Sequence, residues 1–596
     1  MNDDDIFIRK LYGKCMFASM LALVGAKLGH IVSPIIVGRC LEPTALSVLA
    51  MVLPIQSLFS MMGAFLGVGA TVLCARAIGN GRFDECQRIF TVIYLLSLLI
   101  AAVLAFILFL FIDPLVRFLG AALEIFVETK RYVSILAAGG VFSIALYPAY
   151  NLLRLDGRNR ASVFVFITQS VVTIGLDLLF LVGFGMGVEA MALAAIAGAA
   201  ASGLGGALLL FSGSKNFHVT LSVFRKMYRH DIPRIMGRVF VAGSPSAMEF
   251  LCILSFSIML NRLIARSFGI LALSSFKLVD SFSALAVVFI SAVSGPVVQF
   301  VGVFEAEKDS KSIFQLLAQV FKWGILFILG YTALCEIFAP RLAGIFGMTS
   351  PDALAAAVPA IRIFVLSLFP ALINNILISV YLAENRPLLA NIFTVSRLFL
   401  WIVITAPLLS SRIGITGVWH SFWIAESLCL SSAVVLSLFY RRRNRQLSLL
   451  FLVNREAELT GVYKSFSVKN SPESITQSSA GITDFCELNK LGSKLTMAIS
   501  LAIEEMLVLI CDQSLADDEG ATINVRVLIG ENTVILRIRN SGKNTNPIDY
   551  ARNSGEMEEA KAMGIKMLLA LSRNIDYRNT FGVNNTTILL ERQSSA

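Results

Sequence analysis

The sequence predicts an all-α polytopic membrane protein, with twelve transmembrane helices in two six-helix lobes, followed by a cytosolic α+β domain. Of the 596 residues, 56% are hydrophobic and only 15% are charged, and the mean hydropathy is +0.76. A soluble protein carries about a quarter charged residues. Segments long enough to cross a bilayer recur up to residue 440, after which charged, Ser and Asn residues become frequent.

Twelve apolar segments set the predicted domain boundaries. Each is near the roughly 20 residues that a helix needs to cross the hydrocarbon core of a bilayer. They lie near 14–38, 45–72, 88–112, 131–153, 161–183, 188–212, 239–266, 272–300, 313–338, 356–384, 388–408 and 415–440. We expect an N-terminal lobe over residues 1–230, a C-terminal lobe over 231–445, a linker over 446–460 and a tail domain over 461–596.

The basic residues of the short loops predict the orientation. One set of loops is rich in them: Arg76, Arg82, Arg88, Arg154, Arg158, Arg160, Lys215, Arg225, Lys226, Arg229, Arg234, Lys308 and Lys311. The alternate set holds chiefly Arg39, Lys130 and Arg412. Cytoplasmic loops carry the excess of Lys and Arg, so both termini should face the cytoplasm from a multi-pass cytoplasmic membrane protein. Basic residues scattered in this way form no single face for nucleic acid.

A shift of 227 residues lays the second half of the membrane region on the first without gaps. It aligns VGRCLEPTALSVLA at 37–50 with IARSFGILALSSFK at 264–277, and GVEA at 187–190 with GITG at 414–417. Internal duplication of a six-helix unit explains this match, and chance similarity of apolar text is the alternative. Repeated bundles are the way in which many secondary transporters build a central site.

Two stretches carry a family resemblance. GVGATVLCARAIGNGRFDE and RLDGRNRASVFVFITQSVVTIGLDLLFLVGFGMGVEAMALA resemble the second and fourth connections, with their adjoining helices, of the multidrug and toxic compound extrusion (MATE) family. The resemblance covers about residues 10–440. It implies a secondary antiporter that exports organic, often cationic, compounds and is driven by Na⁺ or H⁺.

Charged residues inside the predicted spans are the candidate ion and substrate sites, because intramembrane charge is costly. Asp177 lies in the middle of span five, where MATE proteins commonly have an acid, and a buried carboxylate can exchange a proton, Na⁺ or a cationic substrate. Its alternative role is packing, with neighbouring helix donors capping the carboxylate. MATE proteins often have another acid in the second half of the first helix, but Ser33 stands at that place here.

Four further charged residues complete this candidate set. Lys277 and Asp280 are three residues apart on one helix face, so they can neutralise each other, either as a structural bridge or as a pair that lines the cavity. Glu249 resembles an acid that is frequent at the start of the second MATE lobe, although solvation at the membrane interface would also explain it. Lys27, one turn before His30 in span one, is unusual there, so either Asp177 works without a second acid or Lys27 has changed the ion preference of this lobe.

The tail alternates helices and strands in an order that predicts an α+β layer. We expect a strand over 461–468, helices over 472–488 and 491–512, a hairpin of strands over 521–530 and 532–540, a polar loop, a helix over 564–574 and two closing strands. Three stretches of the tail resemble, in this order, the nucleotide-binding boxes of the GHKL ATPases: AIEEMLVLI, NSGKNTNP and AMGIKMLLALS. The GHKL sandwich domain is shared by histidine kinases, Hsp90, gyrase and anti-sigma-factor kinases.

That second resemblance assigns candidate nucleotide-binding residues and also indicates lost chemistry. Glu505, Asn540, Gly542 and Gly564 stand at positions that orient water, contact adenine or approach phosphate. The position of the Mg²⁺-binding asparagine is Leu509, which offers no oxygen ligand. We therefore expect no required cofactor beyond the coupling ion, no metal site and no catalytic residue, unless Glu505 supports residual ATP hydrolysis. The alternative for AIEEMLVLI is a plain amphipathic helix.

Together the patterns favour a multidrug efflux antiporter that is not an enzyme, whose ATPase-like tail regulates it or binds a cytosolic protein. A second hypothesis is a membrane-anchored regulator that binds ATP, with the helix bundle as its sensor. A third, flipping of lipid-linked oligosaccharide, requires a strongly cationic cavity for pyrophosphate. ATP-driven pumping is disfavoured because the chain has no GxxxxGK[ST] loop.

Overall fold

A long helical bundle precedes a smaller unit of sheet and helices in the computed structural model. It describes residues 4–41, 44–79, 83–155, 158–213, 231–306, 309–384, 386–454, 462–515, 522–530, 533–543, 546–553, 563–580 and 583–592. The bundle helices are α1 (Asp4–Cys40), α2 (Thr44–Gly79), α3 (Phe83–Leu110), α4 (Ile112–Leu119), α5 (Leu123–Leu155), α6 (Asn159–Leu178), α7 (Glu189–Gly213), α8 (Asp231–Ala306), α9 (Ser310–Ile345), α10 (Pro351–Val365), α11 (Leu368–Ala383), α12 (Pro387–Val395), α13 (Trp401–Ile413) and α14 (Ile415–Arg443).

Apolar helices of membrane-spanning length make up most of the bundle. Within the described residues nine helices qualify, or up to eleven if each of two bent pairs forms one span. One of the nine, Ala247–Gly302 within α8, is 56 residues long. This helix breaks at Gly269, where φ is 82° and ψ is −176°, a conformation that essentially only glycine adopts. The predicted spans over 239–266 and 272–300 lie on either side of the break, and the count of twelve stays a prediction.

The predicted duplication places equivalent residues in contact at the boundary between the lobes. Ser47 of α2 and Ser274 of α8 are 227 residues apart, and their buried hydroxyl oxygens lie 2.7 Å from each other. A residue can touch its own repeat copy only near the axis that relates the two lobes. Close by, Asn261 donates a hydrogen bond of 2.8 Å to the Ala50 carbonyl. The axis therefore passes between α2 and α8.

The two lobes contact each other at both ends of the bundle. At the end that carries the start of α1, the Tyr12 hydroxyl donates to the Val293 carbonyl at 3.0 Å, and the Phe17 ring meets Trp323 edge-on at 5.7 Å. We call this end the tail side, because the C-terminal unit lies here. At the opposite end, the far side, Arg39 Nε donates to the carbonyl of Ile345 at 3.1 Å.

The C-terminal unit is a five-stranded sheet with helices packed on one face. Neighbouring strands are antiparallel, in the order β1-β2-β3-β5-β4. Its elements are β1 (Val462–Lys469), α15 (Pro472–Leu488), α16 (Ser493–Leu509), β2 (Thr522–Ile529), β3 (Thr533–Asn540), α17 (Pro547–Asn553), α18 (Met563–Leu571), β4 (Ser572–Thr580) and β5 (Val583–Glu591). Alternate residues of the strands form one core with α15, α16 and α18.

Two details of the tail differ from the sequence prediction. The predicted polar loop after β3 contains α17, which begins with Pro547 at a position where a helix tolerates proline. The predicted helix over 564–574 ends at Leu571, and β4 begins at Ser572. Ser572 and Asn574 pair with β5 instead of continuing the helix, on either side of a register shift, so sheet pairing overrides local helix propensity here.

The first part of the predicted linker packs on the C-terminal lobe. Leu447 and Leu452 are buried in a cluster with residues of α11, α12 and α14. The carbonyl of Leu450 accepts a hydrogen bond of 2.7 Å from the Tyr381 hydroxyl, and the Phe451 ring meets Phe321 edge-on. The described residues 446–454 are therefore fixed to the bundle.

Candidate functional site

A cavity of about 430 Å³ lies mainly within the N-terminal lobe. Its walls come from α1, α2, α5, α6 and α7, and Lys277 of α8 enters from the C-terminal lobe. Pockets of about 300–1,000 Å³ hold drug-sized ligands. The cavity therefore has the size for a small organic molecule, and it lies beside the boundary between the lobes.

Asp177 is fully buried in the wall of this cavity. Its Oδ2 accepts a hydrogen bond from the Ser33 hydroxyl of α1. Its Oδ1 is buried and has no hydrogen-bond partner among the described residues. The helix α6 ends one residue later in a π-helical turn over Leu179–Gly183, and such turns are frequent at functional sites. One carboxylate oxygen is thus available for a proton or a cation.

The position of Ser33 connects the family resemblance with the geometry. This serine stands where MATE proteins often have an acid, and the structure brings that position into contact with Asp177. The site therefore has one carboxylate and one hydroxyl in place of two carboxylates. The site thus has a single exchangeable charge at this point of the cavity wall.

The other predicted charged residues lie around the cavity in two groups. Lys27 and Lys277 both line it, and Lys277 Nζ lies 2.7 Å from Asp280 Oδ2, as the three-residue spacing predicts. Glu249 is exposed and is not a lining residue, although its charge interacts with that of Lys27. The structure therefore brings Asp177 and the two lysines together and places Asp280 and Glu249 outside the wall.

The aromatic part of the wall was not predicted from the sequence. Two phenylalanines and three tyrosines of the described residues line the cavity, Phe59, Phe166, Tyr132, Tyr147 and Tyr150. The rings of Tyr150 and Phe166 meet edge-on with centroids 4.5 Å apart. Aromatic faces attract organic cations, but aromatic residues are so common in apolar helices that their pattern alone gave no signal.

A buried polar cluster in the C-terminal lobe was also overlooked. Arg397 Nε lies 2.5 Å from Glu426 Oε1, and Asn374 Nδ2 donates to Glu426 Oε2 at 2.7 Å. Asn374 and Arg397 follow Tyr147 and Ser170 of the cavity by 227 residues. The repeat offset, applied to the wall of the first lobe, could have found them.

The predicted nucleotide-binding residues of the tail are engaged in internal contacts. Glu505 Oε2 accepts a hydrogen bond of 2.9 Å from the backbone N–H of Ile565 in α18. The buried Asn540 Oδ1 accepts from Ser514 and Asn584 side chains and from the Gly542 backbone. These bonds connect α16 with α18, and they connect the end of β3 with Ser514 and with β5.

Two further positions of the predicted nucleotide boxes are Leu509 and Gly564. Leu509, at the place of the metal-binding asparagine, is buried as the last residue of α16. Gly564 is the second residue of α18. The described residues include no cluster of three His, Cys, Asp or Glu residues that could hold a metal ion.

A family model decides the identity of the bundle. The model described as MatE matches residues 18–179 and again 245–407, together more than half of the chain. The chain belongs to the MATE family. The two matches begin 227 residues apart, which is the offset of the internal repeat found in the sequence, so each lobe is one copy of the MATE unit.

Curated relatives agree with this assignment. The multidrug export protein MepA of Staphylococcus aureus strain MSSA476 is 21% identical over 398 residues, which are 67% of this chain and 86% of that protein. MepA of strain MRSA252 is 21% identical over 401 residues, with the same coverage.

Solved structures share the fold. An inward-facing multidrug resistance MATE transporter of the MOP superfamily is 21% identical, with a TM-score of 0.62, over 70% of this chain and 94% of that one. A MOP superfamily transporter from Pyrococcus furiosus gives a TM-score of 0.59 at 21% identity, over 74% of this chain and 97% of that one. The MATE bundle is therefore a shared architecture.

Proposed function

We propose that this MATE protein is a secondary active antiporter, which exports small organic, chiefly cationic, compounds against a gradient of Na⁺ or H⁺. Its place would be the cytoplasmic membrane, with both termini and the tail side facing the cytoplasm. Multidrug efflux is the activity of the family to which the chain belongs. The direction, the coupling ion and the orientation are parts of the proposal.

The observation that carries the proposal is the free oxygen of a buried carboxylate in an aromatic cavity. Asp177 Oδ1 has no hydrogen-bond partner among the described residues, and the surrounding rings suit an organic cation. A coupling ion and a cationic substrate would compete for this one carboxylate. Competition of this kind links the export of the substrate to the entry of the ion.

The two lysines set the charge balance of the cavity. Lys277 is neutralised by Asp280 at 2.7 Å, whereas the positive charge of Lys27 interacts with the carboxylates of Glu249 and Asp280. A cation bound at Asp177 must tolerate Lys27 nearby, so we propose that Lys27 tunes which cations the cavity accepts. Among the described residues two lysines and no arginine line the cavity, which gives little support to flipping of a pyrophosphate-linked lipid.

The test is transport by the purified full-length protein in sealed vesicles. A fluorescent organic cation is followed under an imposed Na⁺ gradient, an imposed H⁺ gradient, or neither. We expect substrate movement with one gradient and its loss when an ionophore dissipates that gradient. Substrate movement at the same rate under all conditions would contradict ion coupling.

The tail we propose to be a degenerate GHKL-like regulatory domain. Support comes from the element order, from Glu505 at the junction of α16 and α18, and from Leu509 at the metal position. Binding of ATP by the full-length protein, abolished by Glu505→Ala, would favour the second hypothesis of an ATP-binding regulator. The cytosolic partner of the tail also stays a prediction.

A further inference from the structure

Three arginines lie together on the face of the tail sheet that its helices leave uncovered. Arg526 of β2 and Arg537 of β3 are directly opposite each other, and Arg539 is opposite Asn524. The alternate residues of both strands point into the helix-covered core, so these arginines point away from it. All three are buried, although the tail itself covers only the other face.

A single carboxylate of the bundle meets these arginines. Asp309, between α8 and α9, receives the Arg526 guanidinium on Oδ1. Its Oδ2 lies 2.8 Å from Arg539 Nη2 and 3.7 Å from Arg537 Nη1. Asp309 is itself buried. Burial alone would raise the pKa of this carboxyl, but the arginines and the Ser312 hydroxyl hold it well below its usual range.

The electrostatics of the sheet require such a partner. Like charges directly opposite each other on neighbouring strands destabilise the pair. A buried guanidinium without a counter-charge is strongly unfavourable. Asp309 contacts all three guanidinium groups and offsets one of their three positive charges, so this carboxylate favours the covered position of the arginine face.

Neighbouring contacts extend the interface over the same region. Arg539 Nη1 donates to Ser312 Oγ at 3.1 Å, and its guanidinium lies 4.8 Å from the Phe304 ring centroid. The Lys311 ammonium lies 4.1 Å from the ring centroid of Tyr463 in β1. The tail is thus fixed to the end of α8 and the beginning of α9.

The same sheet also touches the other lobe. Strands β1 and β2 contact α1, the first helix of the N-terminal lobe. The tail-side half of α1 in turn packs on the C-terminal lobe through Tyr12 and Phe17. A MATE transporter that opens towards the tail side must separate its lobes at this end.

We propose that the C-terminal domain is a clamp on the tail side of the transporter: docked through Asp309 and the three arginines, it holds α1 against the C-terminal lobe and favours the state that is closed on this side. Release of the domain would then promote opening. The clamp is independent of the substrate and of the coupling ion.

The test measures two distances by electron paramagnetic resonance in the full-length protein. Spin labels replace the exposed residues Arg88 of α3 and Met497 of α16 to report docking, and Arg88 and Arg443 of α14 to report separation of the lobes. Of the nine cysteines only Cys40 is exposed, so Cys40→Ser provides the background.

Asp309→Asn breaks the clamp with little other change, because asparagine caps a helix as well as aspartate does and keeps the bond to the Ser312 backbone. We expect a narrow docking distance in the parent and a broad one in the variant. The ratio of open to closed lobes should rise by more than about tenfold, since one partner of a buried charge cluster is lost. The matched control Asp113→Asn, at an exposed ion pair with Lys130, should change neither distance.

A variant on the tail repeats the test without altering the bundle. Arg526→Gln with Arg539→Gln removes two of the three charges that hold Asp309, so the same two shifts are expected. An unchanged docking distance in both variants would overturn the docking role of Asp309. Undocking without any change in the lobe distance would overturn the clamp.

Discussion

At the scale of single residues, the membrane site consists of a few charges with defined partners. Asp177 has one oxygen bound by Ser33 and one available. Lys277 is paired with Asp280. These charged residues were predictable from the sequence because charge inside an apolar helix is rare. The contact between Ser33 and Asp177 was not predictable, since they are 144 residues apart.

The pair of Lys277 and Asp280 gives a prediction at this scale. The Lys277 side chain is 6% exposed and that of Asp280 is 34% exposed. Asp280→Asn would leave the buried ammonium without its partner, at a cost of about 1–3 kcal/mol, less than for a fully buried pair because Asp280 is partly solvated. Thermal unfolding of the purified protein should show a lower Tm.

Matched variants test the physical reason for this loss. Asp113→Asn at the exposed pair with Lys130 should cost less than about 1 kcal/mol. Lys277→Met added to Asp280→Asn should recover most of the lost Tm, since the buried ammonium of Lys277 is then also removed. Equal Tm losses for Asp280→Asn and Asp113→Asn would contradict the assignment of Lys277 as a buried, paired charge.

At the scale of elements, the helices follow from apolar segments and the contacts between them follow from small residues. Most predicted spans lie within the observed helices to a few residues. Three segments contain a break: 161–183 ends in the π-helical turn Leu179–Gly183, 356–384 contains the break between α10 and α11, and 388–408 contains the π-helical turn Ser396–Leu400. Such breaks depend on packing that hydropathy does not record. The close approaches at glycines are likewise invisible in the sequence alone.

Gly38 gives the prediction at this scale. A Cβ atom built at Gly38 would lie 1.8 Å from the carbonyl oxygen of Phe346, at the end of α9. Backbone at this distance must shift, so Gly38→Ala should cost about 1–3 kcal/mol and lower Tm. On the same helix, Gly13 has nothing within 4 Å of an added Cβ. Gly13→Ala should therefore leave Tm unchanged or raise it, because alanine favours the helix over glycine by up to about 1 kcal/mol. The reverse order of the two Tm values would contradict the far-side contact.

At the scale of the whole molecule, three features that sequence analysis treated separately form one arrangement. The 227-residue repeat gives two lobes, and the equivalent residues Ser47 and Ser274 are in contact at the boundary between them. The cavity lies beside this boundary. The two-lobe architecture was predictable because duplication leaves a fixed offset in the sequence. The docking of the tail was not predictable. In the sequence, the alternating arginines of β2 and β3 have the pattern of a solvated strand face, and nothing there indicates that Asp309 contacts Arg526, Arg537 and Arg539.

Ion-coupled transport through the cavity of the N-terminal lobe is tested most directly by Asp177→Asn. Its transport is compared with that of the parent in sealed vesicles, under the gradient that drives the parent. Asparagine keeps the size of the side chain and a hydrogen bond with Ser33, but it carries no exchangeable charge. We expect gradient-driven transport to fall by at least about tenfold, while Asp113→Asn, at an exposed ion pair, transports as the parent does. Full gradient-driven transport by Asp177→Asn would contradict the role of Asp177 in ion coupling.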